Sequence, residues 1–459
     1  MSHTPLYDAL RAFADTGPLR FHMPGHHGKP LPAPELSRLS ELDFTELPPT
    51  GDLFSPGGPI EAAEKLWAAA FGMSACLFLT GGSTQGLHTA LTLACSVGGG
   101  VLVDRGCHRS VYHSMALLDL QPVYLPRPWL TEEGVTGPIS PQLVDNELKN
   151  HPDIKTVCIT SPTYYGVLSD IFAIAQVVHA HGGTLVVDGA HGAHLPFLGL
   201  EAYGGADLVV CSAHKTLPAP GQTALLFSSG TYSLDDLRRA GSIYGSSSPS
   251  YPMMAALDLC RAALEDGGAA AYGTVAEEVA ALRAELPALR PRPDLALDPC
   301  RLVLSVRDGF GVKGALEGQG VYPEMADVGH VVFIATCADG AAEFARLRAA
   351  LEGLSLPPVP TRSCPGLPGI PPLVVRPRQA LFAPRRYLPL RQTEGEVCGV
   401  QVAPYPPGVP VIAPGERIEK KHLSYLTEIG YNTDNTIGVI TSRAPCNGRD
   451  NHETGPCDH

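Results

Sequence analysis

The sequence predicts an α/β protein built around a mostly parallel sheet. Short apolar runs recur along the chain with helical segments between most of them, an alternation typical of βαβ units with helices on both faces of a sheet. Polar or glycine-rich clusters directly follow several of these runs, as expected where functional groups gather beyond the carboxyl ends of parallel strands. The predicted strands cover residues 76–79, 101–103, 122–125, 156–160, 185–187 and 208–211, and residues 223–227 add an antiparallel or edge strand.

Helical segments account for most of the chain between these runs. Residues 60–71 form an Ala-rich helix that Gly72 ends, because glycine is favoured just beyond a helix C-terminus. Further helices are predicted at residues 85–94, 110–118 and 171–181. Beyond residue 265 the pattern changes to helices at 275–289 and 341–354 and strands at 302–306 and 331–336, which predicts a smaller α+β domain.

The predicted organisation has five parts and no internal repeat. Residues 1–50 form an N-terminal arm with one short helix at 6–14, residues 51–265 a large domain, and residues 266–355 the small α+β domain. A proline-rich stretch at 356–360 opens a C-terminal segment, 356–440. The last residues, 441–459, are polar and rich in Gly, Asn and Asp, so we expect a disordered tail.

Composition narrows the class of protein and its partners. The 459 residues are 44% hydrophobic and 17% charged, as in ordinary globular proteins. A net charge of −13 argues against nucleic acid as a partner, since phosphate binding needs a basic face. The sequence lacks an apolar run long enough to span a membrane and a signal-peptide pattern. Twelve scattered cysteines without a CxxC pair indicate a reducing, cytoplasmic location.

The pair most informative about chemistry is Asp188 with Lys215. Asp188 ends one apolar run, and Lys215 follows the next run within Ser212-Ala213-His214-Lys215-Thr216. Pyridoxal phosphate needs such a pair, because a lysine holds this cofactor as a Schiff base and a carboxylate keeps its pyridine nitrogen protonated. A lysine at a strand end is otherwise an ordinary solvated charge, so the cofactor interpretation depends on the neighbouring residues.

Two clusters offer donors for the phosphate of such a cofactor. Gly82, Ser83 and Thr84 follow a predicted strand and open a helix, where backbone N–H groups and small hydroxyls suit an anion. An ordinary helix cap explains this loop equally well. Ser212 and His214, beside Lys215, supply further donors.

Three histidines remain open to more than one interpretation. His108 follows the strand at 101–103 and is placed either to lie over a planar cofactor or in an ordinary loop. Asp188, His191 and His194 have a spacing that resembles a metal-ligand cluster, but a metal site would leave Lys215 without a role. We therefore predict no metal.

The ordered set of motifs resembles a known family, the pyridoxal phosphate-dependent Orn/Lys/Arg decarboxylases of aspartate-aminotransferase fold (fold type I). The resemblance runs from about residue 5 to residue 435, and in length the chain is similar to the short bacterial arginine-decarboxylase-like form. The motifs that carry it are residues 21–26 (FHMPGH), 43–46 (DFTE), 70–72 (AFG), 82–86 (GSTQG), 104–110 (DRGCHRS), 188–192 (DGAHG), 212–216 (SAHKT) and 405–410 (YPPGVP).

This resemblance implies a role for each candidate in the cofactor site. Lys215 would bind the cofactor, Asp188 would pair with the pyridine nitrogen, and His108 would stack on the ring. The residues implied to hold the phosphate or to lie beside the ring are Gly82, Ser83, Thr84, Ser212, His214 and His191. The family's active site lies at a subunit interface, so the resemblance implies a homodimer or a higher homo-oligomer with a seven-stranded sheet in its large domain.

The predicted reaction is loss of CO2 from a basic amino acid, with arginine ahead of lysine and ornithine. The distal cationic group of such a substrate needs acidic partners; arginine favours a bidentate carboxylate, whereas an ammonium needs only a point charge. The candidates are Glu46, Asp52, Glu324 and Asp327, some of them contributed by the partner subunit.

One departure from the family pattern bears on the substrate. Relatives commonly carry an acidic residue where Val400 and Gln401 stand, unless the alignment slips and Glu396 fills that position. Two other functions stay open: a different fold-type-I reaction, such as an aminotransferase or lyase, and a non-catalytic homologue that keeps the fold.

Overall fold

The computed structural model describes residues 16–21, 44–47, 50–354, 356, 367–404 and 410–441. The predicted helix at 6–14, the motif residues 22–26, 43 and 405–409, and all but the first residue of the predicted tail lie outside the described residues.

Ten strands lie in the described part of the first half of the chain, and seven of them build the large sheet. They are β1 (Leu19–Phe21), β2 (Ala75–Leu79), β3 (Gly100–Asp104), β4 (Gln121–Leu125), β5 (Trp129–Leu130), β6 (Val135–Thr136), β7 (Thr156–Thr160), β8 (Thr184–Asp188), β9 (Leu208–Cys211) and β10 (Ala224–Ser228). The seven-stranded sheet has the order β2-β10-β9-β8-β7-β3-β4. Only β10 runs antiparallel to its neighbours β2 and β9 in this sheet. The predicted α/β fold with a mostly parallel seven-stranded sheet is confirmed.

The helices flank this sheet and continue into the second half of the chain. They are α1 (Gly58–Ala70), α2 (Gly82–Ala94), α3 (Arg109–Leu117), α4 (Pro141–Asn150), α5 (Ile171–Ala180), the single turn α6 (Ala213–Thr216), α7 (Leu234–Gly241), α8 (Tyr251–Ala263), α9 (Ala269–Glu285), α10 (Gly309–Glu317), α11 (Ala341–Glu352), α12 (Pro377–Phe382) and α13 (Lys420–Glu428). Each predicted helix of the described region is present, with ends that coincide or differ by up to six residues.

Burial on both faces explains the apolar composition of the central strands. All four residues of β9 are buried, and so are the last four of β8, because helices cover both sides of a parallel sheet. Parallel order brings the carboxyl ends of β3, β7, β8 and β9 to one edge. Asp104, the last residue of β3, stabilises this edge through two contacts. It pairs with Arg127 at 2.6 Å, and it accepts a hydrogen bond from the amide of Thr160 at the end of β7.

The described strands of the second half belong to three smaller sheets. β11 (Arg301–Ser305), β13 (Met325–Ala326) and β14 (His330–Ile334) form a three-stranded antiparallel sheet. β12 (Val321–Pro323) instead pairs in parallel with β1, so the chain before residue 22 adds a strand next to the small α+β region. β15 (Arg385–Pro389) pairs with β16 (Thr436–Ile440) in the C-terminal segment. The domain boundaries given above stay predictions.

A buried ion pair joins the C-terminal segment to the large sheet. Arg105, directly after β3, makes a bidentate contact with Glu416 and donates to the carbonyls of Pro410 and Val411. The guanidinium also lies 4.7 Å from the centroid of the Tyr124 ring. In the described part of the chain, every helix is too short or too polar to cross a bilayer.

Candidate active site

Asp188 and Lys215 face one cavity of about 740 Å³ at the carboxyl edge of the large sheet. Asp188 is the last residue of β8, and Lys215 lies on the short turn α6 that follows β9. The two strands are parallel neighbours, with Asp188 in register with Val210, so the two functional groups meet although 27 residues separate them in sequence. His191, three residues after Asp188, places Nε2 at 3.1 Å from Nζ of Lys215.

Burial shifts the pKa values of Lys215, Asp188 and His191 so that the neutral form of each is favoured. It lowers the pKa of Lys215, against the opposing effect of Asp188 and Glu324. It raises the pKa of Asp188, against the opposing effect of Lys215 and the Ala190 amide. It also lowers the pKa of His191, and the charge of Lys215 adds to that effect. Buried lysines and carboxylates with shifted pKa values are concentrated at functional sites, because a bound ligand can compensate for the water that burial removes.

The predicted ring-stacking and phosphate residues surround the same edge. His108 caps the N-terminus of α3, where Nδ1 accepts from the Ser110 amide at 3.2 Å, and its ring borders the cavity. Ser83 also lines the cavity, in the first turn of α2. The φ of +72° at Gly82 is one that residues with a side chain rarely adopt, which explains the glycine there. Thr84, in the same turn, is exposed.

A loop at residues 222–223 connects the two predicted phosphate clusters. The carbonyl oxygen of Gln222 lies 3.6 Å from the position that a Cβ on Gly82 would occupy. Nδ1 of His214 lies 2.9 Å from the carbonyl oxygen of Thr223, which orients the His214 ring. The structure therefore brings Gly82 and His214 against one loop.

Two buried polar atoms indicate that the edge fits pyridoxal phosphate. The hydroxyl of Ser212 and Nδ1 of His191 are buried without a hydrogen-bond partner in the described structure. Buried polar groups are normally satisfied, so such atoms call for a ligand. A phosphate with several acceptor oxygens suits the Ser212 hydroxyl, and an aldehyde-bearing ring suits the position of Lys215. The donor set is compatible with the cofactor.

The predicted acidic residues are divided between two places. Oε1 of Glu324 accepts a hydrogen bond of 2.5 Å from the hydroxyl of Tyr164, a residue that lines the cavity. Asp327 accepts from the hydroxyl of Tyr165, another lining residue, and also contacts His330 at 3.1 Å. Glu324 and Asp327 are therefore one hydroxyl away from the cavity wall.

Glu46 and Asp52 do not line the Lys215 cavity of their own chain. They lie together at a separate, open surface cavity of about 330 Å³ with Gly51 and Pro56. The expectation that Glu46 and Asp52 bind the substrate stays a prediction, and it requires that they reach the cavity of a partner subunit.

The C-terminal segment supplies one wall of the cavity, through Gln401 and Ala403. Glu396, the alternative acidic residue, pairs instead with Arg386 at 2.6 Å on the surface. Val400 packs in the apolar cluster of this segment. Among the described residues of the C-terminal segment, Gln401 thus presents a neutral amide to the cavity.

A metal centre at Asp188, His191 and His194 is not assembled. Nε2 of His194 faces away toward Oδ1 of Asp298 at 2.9 Å, while His191 faces Lys215. The donor atoms of His194, Asp298 and Cys300 do lie within 4.8 Å of one another. Nη2 of Arg301 lies 3.6 Å from Oδ2 of Asp298, however, so the Arg301 guanidinium already occupies the cation position next to this carboxylate.

Several lining residues were missed by the sequence analysis. Thr163, Tyr164 and Tyr165 border the cavity and follow β7 directly, so the rule that singled out Asp188 also applied to them. Arg127 borders it as well, but its position depends on the buried pair with Asp104, which no local pattern signals.

Family models match most of this architecture. The model described as Orn/Lys/Arg decarboxylase, major domain, matches residues 4–291, and the model described as Orn/Lys/Arg decarboxylase, C-terminal domain, matches residues 373–435. The chain belongs to the Orn/Lys/Arg decarboxylase family. This membership, together with the fold, makes it an amino-acid decarboxylase that depends on pyridoxal phosphate.

Relatives of this decarboxylase match it along almost its whole length. It is 30% identical to the uncharacterized protein YaaO of Bacillus subtilis, covering 93% of this chain and 94% of that protein. It is 29% identical to an arginine decarboxylase of Bacillus subtilis, covering 92% and 93%. Among solved structures, the constitutive lysine decarboxylase of Escherichia coli superposes with a TM-score of 0.73 at 19% identity, over 85% of this chain and 74% of that one. That structural likeness supports the fold alone.

Proposed function

We propose that this decarboxylase acts on arginine in preference to lysine and ornithine. The observation that carries the proposal is Glu324, whose carboxylate accepts a hydrogen bond of 2.5 Å from the hydroxyl of Tyr164, and Tyr164 lines the Lys215 cavity. A carboxylate offers two oxygens in the geometry that a guanidinium binds. The full-length relative named arginine decarboxylase supports the same substrate.

Lys215, Asp188 and His108 are the residues that we assign to catalysis with the cofactor. Lys215 would hold pyridoxal phosphate through Nζ, and Asp188 would keep the proton on its ring nitrogen. His108 would lie over the ring, while Gly82, Ser83, Thr84, Ser212 and His214 would hold the phosphate. When bound, the cofactor supplies an electron sink for the bond that breaks.

The Lys215–His191 contact provides a route for a proton. Because burial lowers the pKa of both groups, a proton shared over the 3.1 Å between Nζ and Nε2 is easily released. We assign to this pair the return of a proton to the substrate carbon that loses CO2. Tyr164 packs on the His191 ring at a centroid distance of 4.6 Å and limits the access of water from that side.

The cationic end of the substrate would be recognised at Glu324, with Asp327 as a second acidic group behind Tyr165. Gln401 adds no charge on the opposite wall. Glu46 and Asp52 can contribute only to the cavity of a partner, since they lie on a different surface of their own chain. We therefore propose a homodimer or higher homo-oligomer in which this acidic pair approaches the partner's cavity.

The proposed setting is the cytoplasm, in polyamine biosynthesis. The described cysteines are free and mostly buried, which suits a reducing compartment. A basic amine is the product that polyamine synthesis uses.

Product analysis of the purified protein with added pyridoxal phosphate tests the proposal. Arginine, lysine and ornithine are supplied separately, and CO2 and the amine are quantified. We expect the largest kcat/KM for arginine, and a fall of at least about tenfold in Glu324→Gln, since a buried charge pair contributes more than about 1.4 kcal/mol. Glu317→Gln, which removes a surface carboxylate paired with Lys313, is the control. Preferential turnover of lysine would overturn the substrate assignment, and a keto acid product would overturn the reaction.

A further inference from the structure

Arg301 connects the small α+β sheet to the floor of the cavity. It is the first residue of β11, and only 1% of its side chain is exposed. Nη1 donates to the carbonyl oxygen of Tyr164 and Nη2 to the carbonyl oxygen of His191, each at 3.3 Å. One planar group therefore binds the backbone of both residues whose rings face Lys215 and Glu324.

The position of this guanidinium is itself fixed from several sides. Its stem crosses Gly166, where an added Cβ would lie 2.9 Å from Cβ and Cγ of Arg301. Its head lies 3.6 Å from Oδ2 of Asp298, whose Oδ1 lies 2.9 Å from Nε2 of His194. Arg283 holds the adjacent backbone by donating to the carbonyls of Asp298 and Arg301 at 2.6 and 2.7 Å.

The cluster provides the Arg301 guanidinium with a carboxylate partner, Asp298. Burial alone would raise the pKa of Asp298, but His194, Arg301 and the Cys300 amide together hold it at about 2. Asp298 is consequently ionised at neutral pH and partners the guanidinium. Burial is the main cause of the lowered pKa of Lys215, and the positive charge of Arg301 adds to it, whereas Asp188 and Glu324 oppose it.

We propose that Arg301 is a positioning residue of the active site, which orients His191 and Tyr164 toward Lys215 and Glu324 through their backbone carbonyls. The proposal rests on the assignment of Lys215 as the cofactor lysine. Arg301 lies outside the large sheet but is buried against the two loops that follow β7 and β8. Its guanidinium binds both loops at once and so sets the distance between them.

The test compares Arg301→Lys, Arg301→Gln and the wild-type protein, with Arg348→Gln as the matched control. Arg348 lies in the same region but pairs at the surface with Glu278 and Glu285. Amide hydrogen exchange is measured on peptides that cover residues 161–166 and 189–194, with and without cofactor. The absorbance of the bound cofactor is titrated with pH, and turnover is assayed.

Lysine keeps the charge but loses the fork, so Arg301→Lys should exchange faster in those two peptides alone and lose about 10- to 100-fold in turnover, the cost of a small misplacement. Arg301→Gln should show the same exchange and, because a positive charge is removed, an absorbance titration moved to higher pH. Arg348→Gln should match the wild type in all three measurements.

A folded Arg301→Lys with wild-type exchange in both peptides would overturn the proposal. Failure of both Arg301 variants to fold would also overturn it, since the residue would then determine the stability of the whole chain. Absence of a cofactor absorbance in the wild type would instead contradict the assignment of Lys215, while the exchange measured without cofactor would still decide the role of Arg301.

Discussion

Nζ of Lys215 lies 3.1 Å from Nε2 of His191, and this contact follows from the order of two strands. β8 and β9 are parallel neighbours, so the loop after β8 and the turn after β9 open at the same edge of the sheet. Burial then lowers the pKa of both groups. We propose that the amine and the imidazole exchange a proton at the base of the cavity.

Asp188→Asn should retain the cofactor but lose several orders of magnitude in turnover. The amide cannot keep a proton on the ring nitrogen, whereas the other contacts to the cofactor remain. Cofactor content by absorbance and kcat measured on the same sample separate the two effects. Near-wild-type turnover in this variant would show that Asp188 is not the partner of the ring nitrogen.

Gln401→Glu should lower KM for arginine about two- to fivefold, because a carboxylate on a partly exposed wall contributes up to about 1 kcal/mol to binding a cation. Glu396→Gln should leave KM unchanged, since Glu396 pairs with Arg386 outside the cavity. Steady-state kinetics on both variants check this pair of expectations. An unchanged KM in Gln401→Glu would indicate that the C-terminal wall does not approach the substrate.

Glu416→Ala should destabilise the contact between the C-terminal segment and the large sheet by about 3–5 kcal/mol, because it leaves Arg105 buried without its charge partner. The control is Glu396→Ala, whose pair with Arg386 has side chains 30% and 51% exposed and should contribute at most about 1 kcal/mol. Urea unfolding measures both. Equal losses in the two variants would contradict the docking role of the buried pair.

Glu64 predicts a pH dependence of stability. Burial raises its pKa from 4.5 to about 8, against the Phe78 amide and Arg238. The folded state therefore holds the proton more tightly than the unfolded state, so stability is full below about pH 4.5 and is lost as the pH rises toward about 8. Glu64→Gln should remove a decline of about 2.5 kcal/mol in the free energy of unfolding between about pH 5 and pH 7.

Glu61→Gln is the matched control for this pH dependence. Glu61 lies on the same helix, but its hydrogen bonds to Lys65 and the Gly57 amide lower its pKa to about 2. Its contribution to stability is consequently lost only in acid, below about pH 4.5. A Glu64→Gln protein that keeps the wild-type slope above pH 5 would show that Glu64 is ionised in the folded state.

The sequence was sufficient for the sheet and for the pair of residues at its edge. Strand periodicity located β8 and β9, and the polar residues that end them, Asp188 and Lys215, meet because parallel strands end together. Residues 223–227 were expected as an antiparallel or edge strand, and β10 is antiparallel but lies inside the sheet between β2 and β9.

Contacts between segments that are distant in the sequence could not be predicted from it. Tyr164 reaches Glu324 across 160 residues, and Arg301 reaches the His191 carbonyl across 110. Such contacts depend on how the small α+β region packs on the large sheet, which no local spacing encodes. Glu46 and Asp52 were grouped with Glu324 on charge alone, and the fold places them on a different surface.

The lysine that binds the cofactor can be located directly by chemical labelling. The purified holoenzyme is reduced with borohydride, digested and analysed by mass spectrometry, with Lys215→Ala treated in parallel and Lys313→Ala as a control for a surface lysine. We predict the reduced cofactor on the peptide that contains Lys215, and neither label nor turnover in Lys215→Ala. Label on another lysine, or turnover that persists in Lys215→Ala, would contradict the account.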